Sequence, residues 1–359
     1  MKIKYIANFN DGTGWAKAAT YKALALDHAG YDVYCEELKY NNVSIVLEDR
    51  ISQLLDKKSD QFDIIMQHVL PSEYKYYPSA KNIGVFEIDT LNLSNTFWIK
   101  KLSMMDQIFV PNKASKQSLI NSGIKVPIDI FPHLFNYDKI VNLNKAAEIM
   151  ELNNTFNFMF VGEFAKQKNL EGLLRAFHAE FEYIEPVSLY IKVEKDLKVV
   201  EEFCEAIKQR LRKNGKYKKE VIVNSYMPDQ ILWSTMIQCH CFVNPSYGDA
   251  WCYPAMEASA MGMPVIYTAG TGVEEYSKES NAIPSMHEGC YGVLDTIEGL
   301  YTCEDFWLEP SILHLQKKMR GIYDSFINNR EYYLANKKAK VEEMKYYDYR
   351  NSDILKGLI

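Results

Sequence analysis

Asp249 and Glu257 stand eight residues apart across a loop and the start of a helix, a spacing that lets two carboxylates reach one ligand. They lie in the run Asn244-Pro-Ser-Tyr-Gly-Asp-Ala-Trp-Cys-Tyr-Pro-Ala-Met-Glu-Ala-Ser-Ala-Met-Gly-Met-Pro-Val-Ile266. Residues 241–244 read as the end of a buried strand and 245–249 as a loop. Residues 255–261 read as a helix whose first turn tolerates Pro254, with Gly262 as its stop and 264–268 as the next parallel strand. Unpaired backbone N–H groups and the positive end of the dipole at such a helix start suit a phosphate or a sugar hydroxyl.

Other places carry residue types that do chemistry. Val161-Gly-Glu-Phe-Ala-Lys-Gln-Lys-Asn169 is a strand end, glycine loop and helix start, with Gly162, Glu163, Lys166 and Lys168 within it. Asp11-Gly-Thr-Gly14 follows the first strand, and its glycines, Gly12 and Gly14, let backbone approach a ligand closely. Glu87 and Asp89 end another strand, where an acid orients a hydroxyl or stabilises developing positive charge. His68 follows a strand and is a candidate for a cleft wall, and His133 lies in Phe131-Pro-His-Leu. Tyr226, in Asn224-Ser-Tyr-Met227, ends a strand. Glu274 and Glu275 read as caps of a following helix. Cys239-His-Cys241 looks like half a metal site but sits in an apolar strand, and burial is the better reading.

The elements that must position these groups alternate strand and helix. Strands are predicted at 2–8, 31–35, 62–67, 82–86, 107–111 and 128–131, with a helix at 15–29 stopped by Gly30. A polar stretch, 136–154, reads as a linker. The pattern restarts with a strand at 156–161, a helix at 170–181, and strands at 188–193, 221–224, 239–244 and 265–268. Such alternation predicts doubly wound parallel sheets with ligands at their carboxyl ends.

The 244–266 run resembles the acidic signature of glycosyltransferase family 4, the retaining GT-B enzymes that use nucleotide sugars. Asp249 stands for the first acid of that signature and Glu257 for the second; Trp251, Pro254, Ala258, Gly262, Pro264, Val265 and Ile266 fall in register. Ala250 and Cys252 replace two glycines. Residues 162–169 resemble the family's Gly-Arg-x-x-x-x-Lys-Asn/Gly loop, with Lys168 at the lysine and Glu163 where the family has arginine. The resemblance implies an α/β GT-B fold of two Rossmann-like domains. Residues 1–140 would form the acceptor-side domain, with helices from about 331–359 packing back on it, and 153–330 the donor domain. It implies Asp249, Glu257, Lys168, Glu87 and Asp89 as catalytic. Donor-binding residues would be Gly12, Gly14, Gly162, Glu163, Lys166, Lys168, Tyr226, Ala250, Trp251, Cys252, Tyr253 and Glu257. His68 and Glu87 would face the acceptor. It implies a UDP- or GDP-type nucleotide sugar as donor, with no cofactor and no divalent metal required.

Composition bounds the alternatives. At 359 residues the chain suits about two domains, and 47% hydrophobic content is ordinary for a globular protein. No apolar run approaches the roughly 20 residues of a membrane span. Met1-Lys-Ile-Lys-Tyr-Ile enters a strand directly, so a cytosolic location is expected. Seven cysteines without paired spacing argue against a disulfide framework. The net charge is −6; residues 1–150 carry 17 basic and 17 acidic side chains, and the remainder 24 against 30. Neither half has a nucleic-acid binder's excess of positive charge, so nucleic acid enters only as an acceptor bearing modified bases. A binding protein of GT-B shape that has lost transfer is the other alternative. Neither the acceptor nor the oligomeric state follows from the sequence.

Overall fold

The computed structural model describes residues 1–40, 45–147, 155–291 and 300–359. The chain forms two compact units. One comprises Met1–Tyr137, Gly289–Phe306 and Tyr346–Ile359; the other comprises Asp138–Glu288 and Trp307–Lys345.

The first unit alternates β1 (Lys2–Ala7), α1 (Gly14–His28), β2 (Asp32–Glu37), α2 (Asp49–Asp56), β3 (Ile64–His68), β4 (Lys81–Val85), α3 (Thr96–Ser103), β5 (Gln107–Val110), α4 (Lys113–Asn121) and β6 (Ile128–Ile130). Its six strands pair in the order β2-β1-β3-β4-β5-β6, all parallel. β3 is buried along its whole length, as a parallel strand covered on both faces must be. Ile6, Ile65, Trp98, Leu102 and Ile108 share one core cluster with the helices above them.

The expected linker at 136–154 is a helix over its first part, α5 (Tyr137–Ala147); residues 148–154 lie outside the described residues. Tyr137, Ile140 and Val141 are buried, so a helical apolar stripe runs through a stretch whose overall polarity hides it.

The second unit alternates β7 (Phe156–Val161), α6 (Leu170–Glu180), β8 (Val187–Lys192), α7 (Leu197–Leu211), β9 (Val221–Val223), α8 (Asp229–Met236), β10 (Cys241–Asn244), α9 (Tyr253–Ala260), β11 (Val265–Thr268) and β12 (Ala282–Ile283). The sheet order is β12-β11-β10-β7-β8-β9. β7, with the sequence FNFMFV, is buried throughout; Phe156, Phe158 and Phe160 pack with Leu173, Leu174 and Phe177 of α6. A two-stranded ribbon follows, β13 (Ser285–Gly289) with β14 (Phe306–Pro310), and then α10 (Ile312–Asn328) and α11 (Arg330–Met344). The return to the first unit begins at Tyr346, later than the expected 331, because α11 packs against α9 and α10 inside the second unit. Gly262 makes that approach possible. Its φ is +78°, and a Cβ there would lie 2.5 Å from the backbone oxygen of Lys337 on α11.

Candidate active site

In the second sheet the chain starts at β7, builds outward through β8 and β9, then crosses back to β10 on the other side. The order therefore reverses between β7 and β10, and the loops leaving the carboxyl ends of those two strands flank the switch point where ligands bind in such sheets. Those loops carry Lys168 and Asp249.

The two loops are tied together. Gln167 Nε2 donates to the Gly248 carbonyl at 3.0 Å, and the Tyr247 N–H donates to the Gln167 carbonyl at 2.8 Å. Asn169 adopts the left-handed conformation (φ 54°) and caps α6 by accepting from the Gly172 N–H; its Nδ2 donates to the Pro245 carbonyl. Asn tolerates that conformation better than most residues, which explains its type at this turn.

Within this frame Lys168 Nζ donates to Asp249 Oδ2 at 2.9 Å, and the Asp249 side chain is nearly buried. Asn244 Nδ2, at the end of β10, lies 3.4 Å from the same oxygen, and the Trp251 N–H donates to Asp249 Oδ1 at 3.3 Å. Glu257, in the second turn of α9, is only 2% exposed. The structure thus brings Lys168, Asp249 and the α9 start into one neighbourhood.

The loop before α9 is braced from behind. Trp251 is buried with its indole N–H on Met256 Sδ at 3.0 Å and its ring against Tyr276. The Tyr276 hydroxyl reaches the carbonyls of Trp251 and Cys252. The Trp251 side chain is therefore core, and only backbone at that position is available to a ligand. Cys252, which stands where the family has glycine, keeps the glycine's conformation with φ 64°. Burial, and then the Asp249 carboxylate, push its thiol well up from the ordinary range. Ala250 and Tyr253 flank this turn, and Pro254 sits in the first turn of α9 as expected.

Gly162 is half-buried, with Phe160 and Lys168 side chains at its Cα face. Glu163 and Lys166 are exposed. Tyr226 is 58% exposed after β9, the edge strand two places from the switch point. Glu274 folds back to accept from the Gly270 N–H. Cys239 and Cys241 are buried free thiols, and His240 accepts from the Asn157 N–H while stacking on Phe156, so this segment is core, with the strand itself starting at Cys241.

In the first unit the order reverses between β1 and β3. After β1, Gly12 has φ 73°, Thr13 caps α1, and Asp11 accepts from the Thr13 N–H and hydroxyl and from Asn8 Nδ2. His68 and Glu87 are not open to a ligand in the manner expected. They belong to a buried chain in which the Tyr5 hydroxyl donates to His68 Nδ1 at 3.0 Å and His68 Nε2 donates to Glu87 Oε1 at 2.8 Å. His133 Nε2 donates to the same oxygen at 3.0 Å, and Lys22 Nζ donates to His133 Nδ1 at 2.6 Å. This arrangement places neutral imidazoles between one carboxylate and one ammonium, and each of the four ring nitrogens has a partner.

Burial pulls His133 down to about 4, against the opposing pull of Glu87, and lowers Lys22 to about 7; it lowers His68 as well. Burial alone would raise Glu87, but His133 and then His68 hold its carboxyl well below the usual range. Asp89, two residues on, accepts from the Tyr301 hydroxyl at 2.7 Å.

The sequence reading missed Tyr5 and Lys22. Lys22 left a signal: it falls between Ala18 and Leu26 on the buried stripe of α1, where a cation requires a buried partner.

Residues 155–288 match the model of a family described as glycosyl transferases group 1. No curated protein sequence matches the chain. Among solved structures, sucrose-phosphate synthase from Thermosynechococcus elongatus aligns over 100% of this chain and 98% of its own, with a TM-score of 0.67 and 14% identity. Anabaena HepE in complex with UDP-glucose aligns over 100% and 99%, with a TM-score of 0.64 and 12% identity. The E. coli trehalose-6-phosphate protein bound with UDP-2-fluoro glucose aligns over 98% and 97%, with a TM-score of 0.64 and 12% identity. The likeness is one of fold: two parallel six-stranded sheets with helices, the GT-B architecture.

Proposed function

Because residues 155–288 match the model of glycosyl transferases group 1, we propose that this chain is a retaining glycosyltransferase that moves a sugar from a nucleotide sugar to a hydroxyl acceptor. The observation that carries the reading is the Lys168–Asp249 pair at the switch point of the second sheet, with the buried Glu257 in the second turn of the helix that follows. UDP-glucose is the first donor to test, because HepE and the E. coli protein are seen with UDP sugars.

Glu257 takes the ribose hydroxyls and Asp249 a hydroxyl of the transferred sugar. When the donor binds, Lys168 exchanges part of its contact with Asp249 for the diphosphate, and the start of α9 adds its dipole. The bond from the anomeric carbon to the phosphate oxygen breaks as the acceptor oxygen attacks the same face. The acceptor's proton passes to the departing phosphate oxygen. Lys168 acts where negative charge grows on the leaving group, which is electrostatic catalysis. In the first unit, Asp89 and the glycine loop after β1, with Gly12 and Gly14, stand at strand ends, where parallel sheets bind ligands. Glu87 and His68 are positioning residues within the first unit, because their polar atoms are engaged with each other and with His133.

Glu163 in the arginine's place motivates a second reading, a binding protein without transfer. Its side chain is exposed, so it does not plant a buried carboxylate against the diphosphate, and the enzyme reading is the better supported. Release of free nucleotide from a panel of UDP, GDP, ADP and CMP sugars tests the choice. Nucleotide binding without transfer or slow hydrolysis would favour the second reading.

A further inference from the structure

A cavity of about 310 Å³ opens in the second unit between α9, α10 and α11, at the amino ends of β11 and β12. The strands are parallel, so it lies at the opposite edge of the sheet from Lys168 and Asp249. It is a different site from the one described above.

Its lining is basic. Lys278, Lys317, Lys318, Lys337 and Lys340 line it, and no aspartate or glutamate does among the described residues. Glu343, outside the lining, pairs with Lys340 at 2.8 Å and offsets one of these charges. Several ammonium groups are held in place: Lys278 donates to Asn336 Oδ1 at 2.6 Å, Lys318 to the Ser280 carbonyl, and Lys340 to the Tyr276 carbonyl. Burial, opposed by Glu343, lowers Lys340 from the ordinary lysine range, and Lys278 adds a smaller push in the same direction.

Two serines of the lining carry hydroxyls with no hydrogen-bond partner. Ser259 is 1% exposed, and its Oγ has no hydrogen-bond partner; Ser277 Oγ is likewise buried without one. Buried hydroxyls are normally bonded, so two orphans lining one basic cavity mark it as built for an acceptor-rich group. Met263, Val265, Ile322 and Tyr333 supply apolar wall for a carbon skeleton. The volume is at the small end of ligand pockets, about 300–1,000 Å³.

We propose that this cavity binds a small phosphate monoester, its phosphate among the lysines and serine hydroxyls and its carbon skeleton on the apolar wall. The site does not depend on the transfer reading, and failure of either leaves the other standing.

Calorimetric titration of the full chain with glycerol 3-phosphate and glucose 6-phosphate tests it, with inorganic phosphate and glucose alongside. At least one ester binds, inorganic phosphate binds at least about threefold more weakly for want of the wall, and glucose does not bind. Lys278→Ser with Lys317→Ser, both at exposed positions, weakens the ester at least about tenfold. Ser259→Ala, a small change inside the fold, weakens it severalfold, and Lys168→Ala leaves it unchanged. Absence of ester binding at millimolar concentration, equal affinity for inorganic phosphate, insensitivity to the lysine pair, or loss in Lys168→Ala would each overturn the proposal.

Discussion

Lys168 Nζ sits 2.9 Å from Asp249 Oδ2, joining the loop after β7 to the loop after β10 across the reversal of strand order. Eighty-one residues of chain separate the pair. The one ammonium steadies a nearly buried carboxylate and, on the proposed reading, serves a diphosphate as well. Lys168→Ala removes both roles. Stability should fall by about 1–3 kcal/mol, less than for a fully buried pair because Lys168 is partly exposed. Turnover should fall about 10²–10³-fold. Combining it with Asp249→Asn should cost less than the two losses added, since the residues share one interaction. Urea melts and steady-state rates on the four proteins check both statements; strict additivity would show that the pair is not a functional unit.

Cys252 holds φ 64° at a position where glycine would be unstrained. Cys252→Gly should raise stability by about 1 kcal/mol, the cost of a side chain in the left-handed region being roughly 1–2 kcal/mol against the added freedom of the unfolded glycine. A drop of that size in chemical denaturation would show that packing of the thiol outweighs the backbone term.

The chain from Lys22 through His133 and Glu87 to His68 makes the first unit acid-sensitive. His133 titrates near 6.5 when unfolded and at about 4 when folded, so between those values the unfolded state holds more protons. Stability therefore rises with pH across that window and is lost as pH falls from 6.5 toward 4; the lowered His68 adds in the same direction. At about 1.36 kcal/mol per pH unit, His133 alone contributes on the order of 3 kcal/mol. Thermal melts from pH 7 to 4 should show the loss, and His133→Asn should flatten the slope while lowering the plateau at pH 7. An unchanged slope would mean that the imidazole is protonated in the native state.

Much of this was legible in the sequence. β7 and β11 run over 156–161 and 265–268, as the apolar runs and flanking turn residues predict, and Gly262 ends α9 at the positive φ its type implies. The pairing of Lys168 with Asp249 was legible only as two positions in one ligand site, because their contact depends on strand order. The cluster of Lys22, His133, Glu87 and His68 was not legible as a unit: its members come from three strand ends and a helix, and a histidine after a strand looks the same whether it faces solvent or a buried carboxylate. The excursion of Gly289–Phe306 into the first unit left no periodic signal either.

Glu163 stands in the position the family gives to arginine, and its side chain is exposed. Glu163→Arg should leave the fold intact and tighten nucleotide-sugar binding by about 3–10-fold through one charge-assisted contact to the diphosphate. Titration of UDP-glucose against both proteins reads this directly. Weaker binding in the arginine variant would mean that Glu163 is itself a ligand of this donor.

The most direct measurement is nucleotide release from UDP, GDP, ADP and CMP sugars by the native protein and by Glu257→Gln, after thermal shift has found the donor that stabilises it. One nucleotide class should stabilise the native chain and be turned over, and Glu257→Gln should keep the fold and lose about 10²–10³ in rate. Unchanged rates in both Glu257→Gln and Asp249→Asn would contradict the assignment of the second unit's switch point as the nucleotide-sugar site.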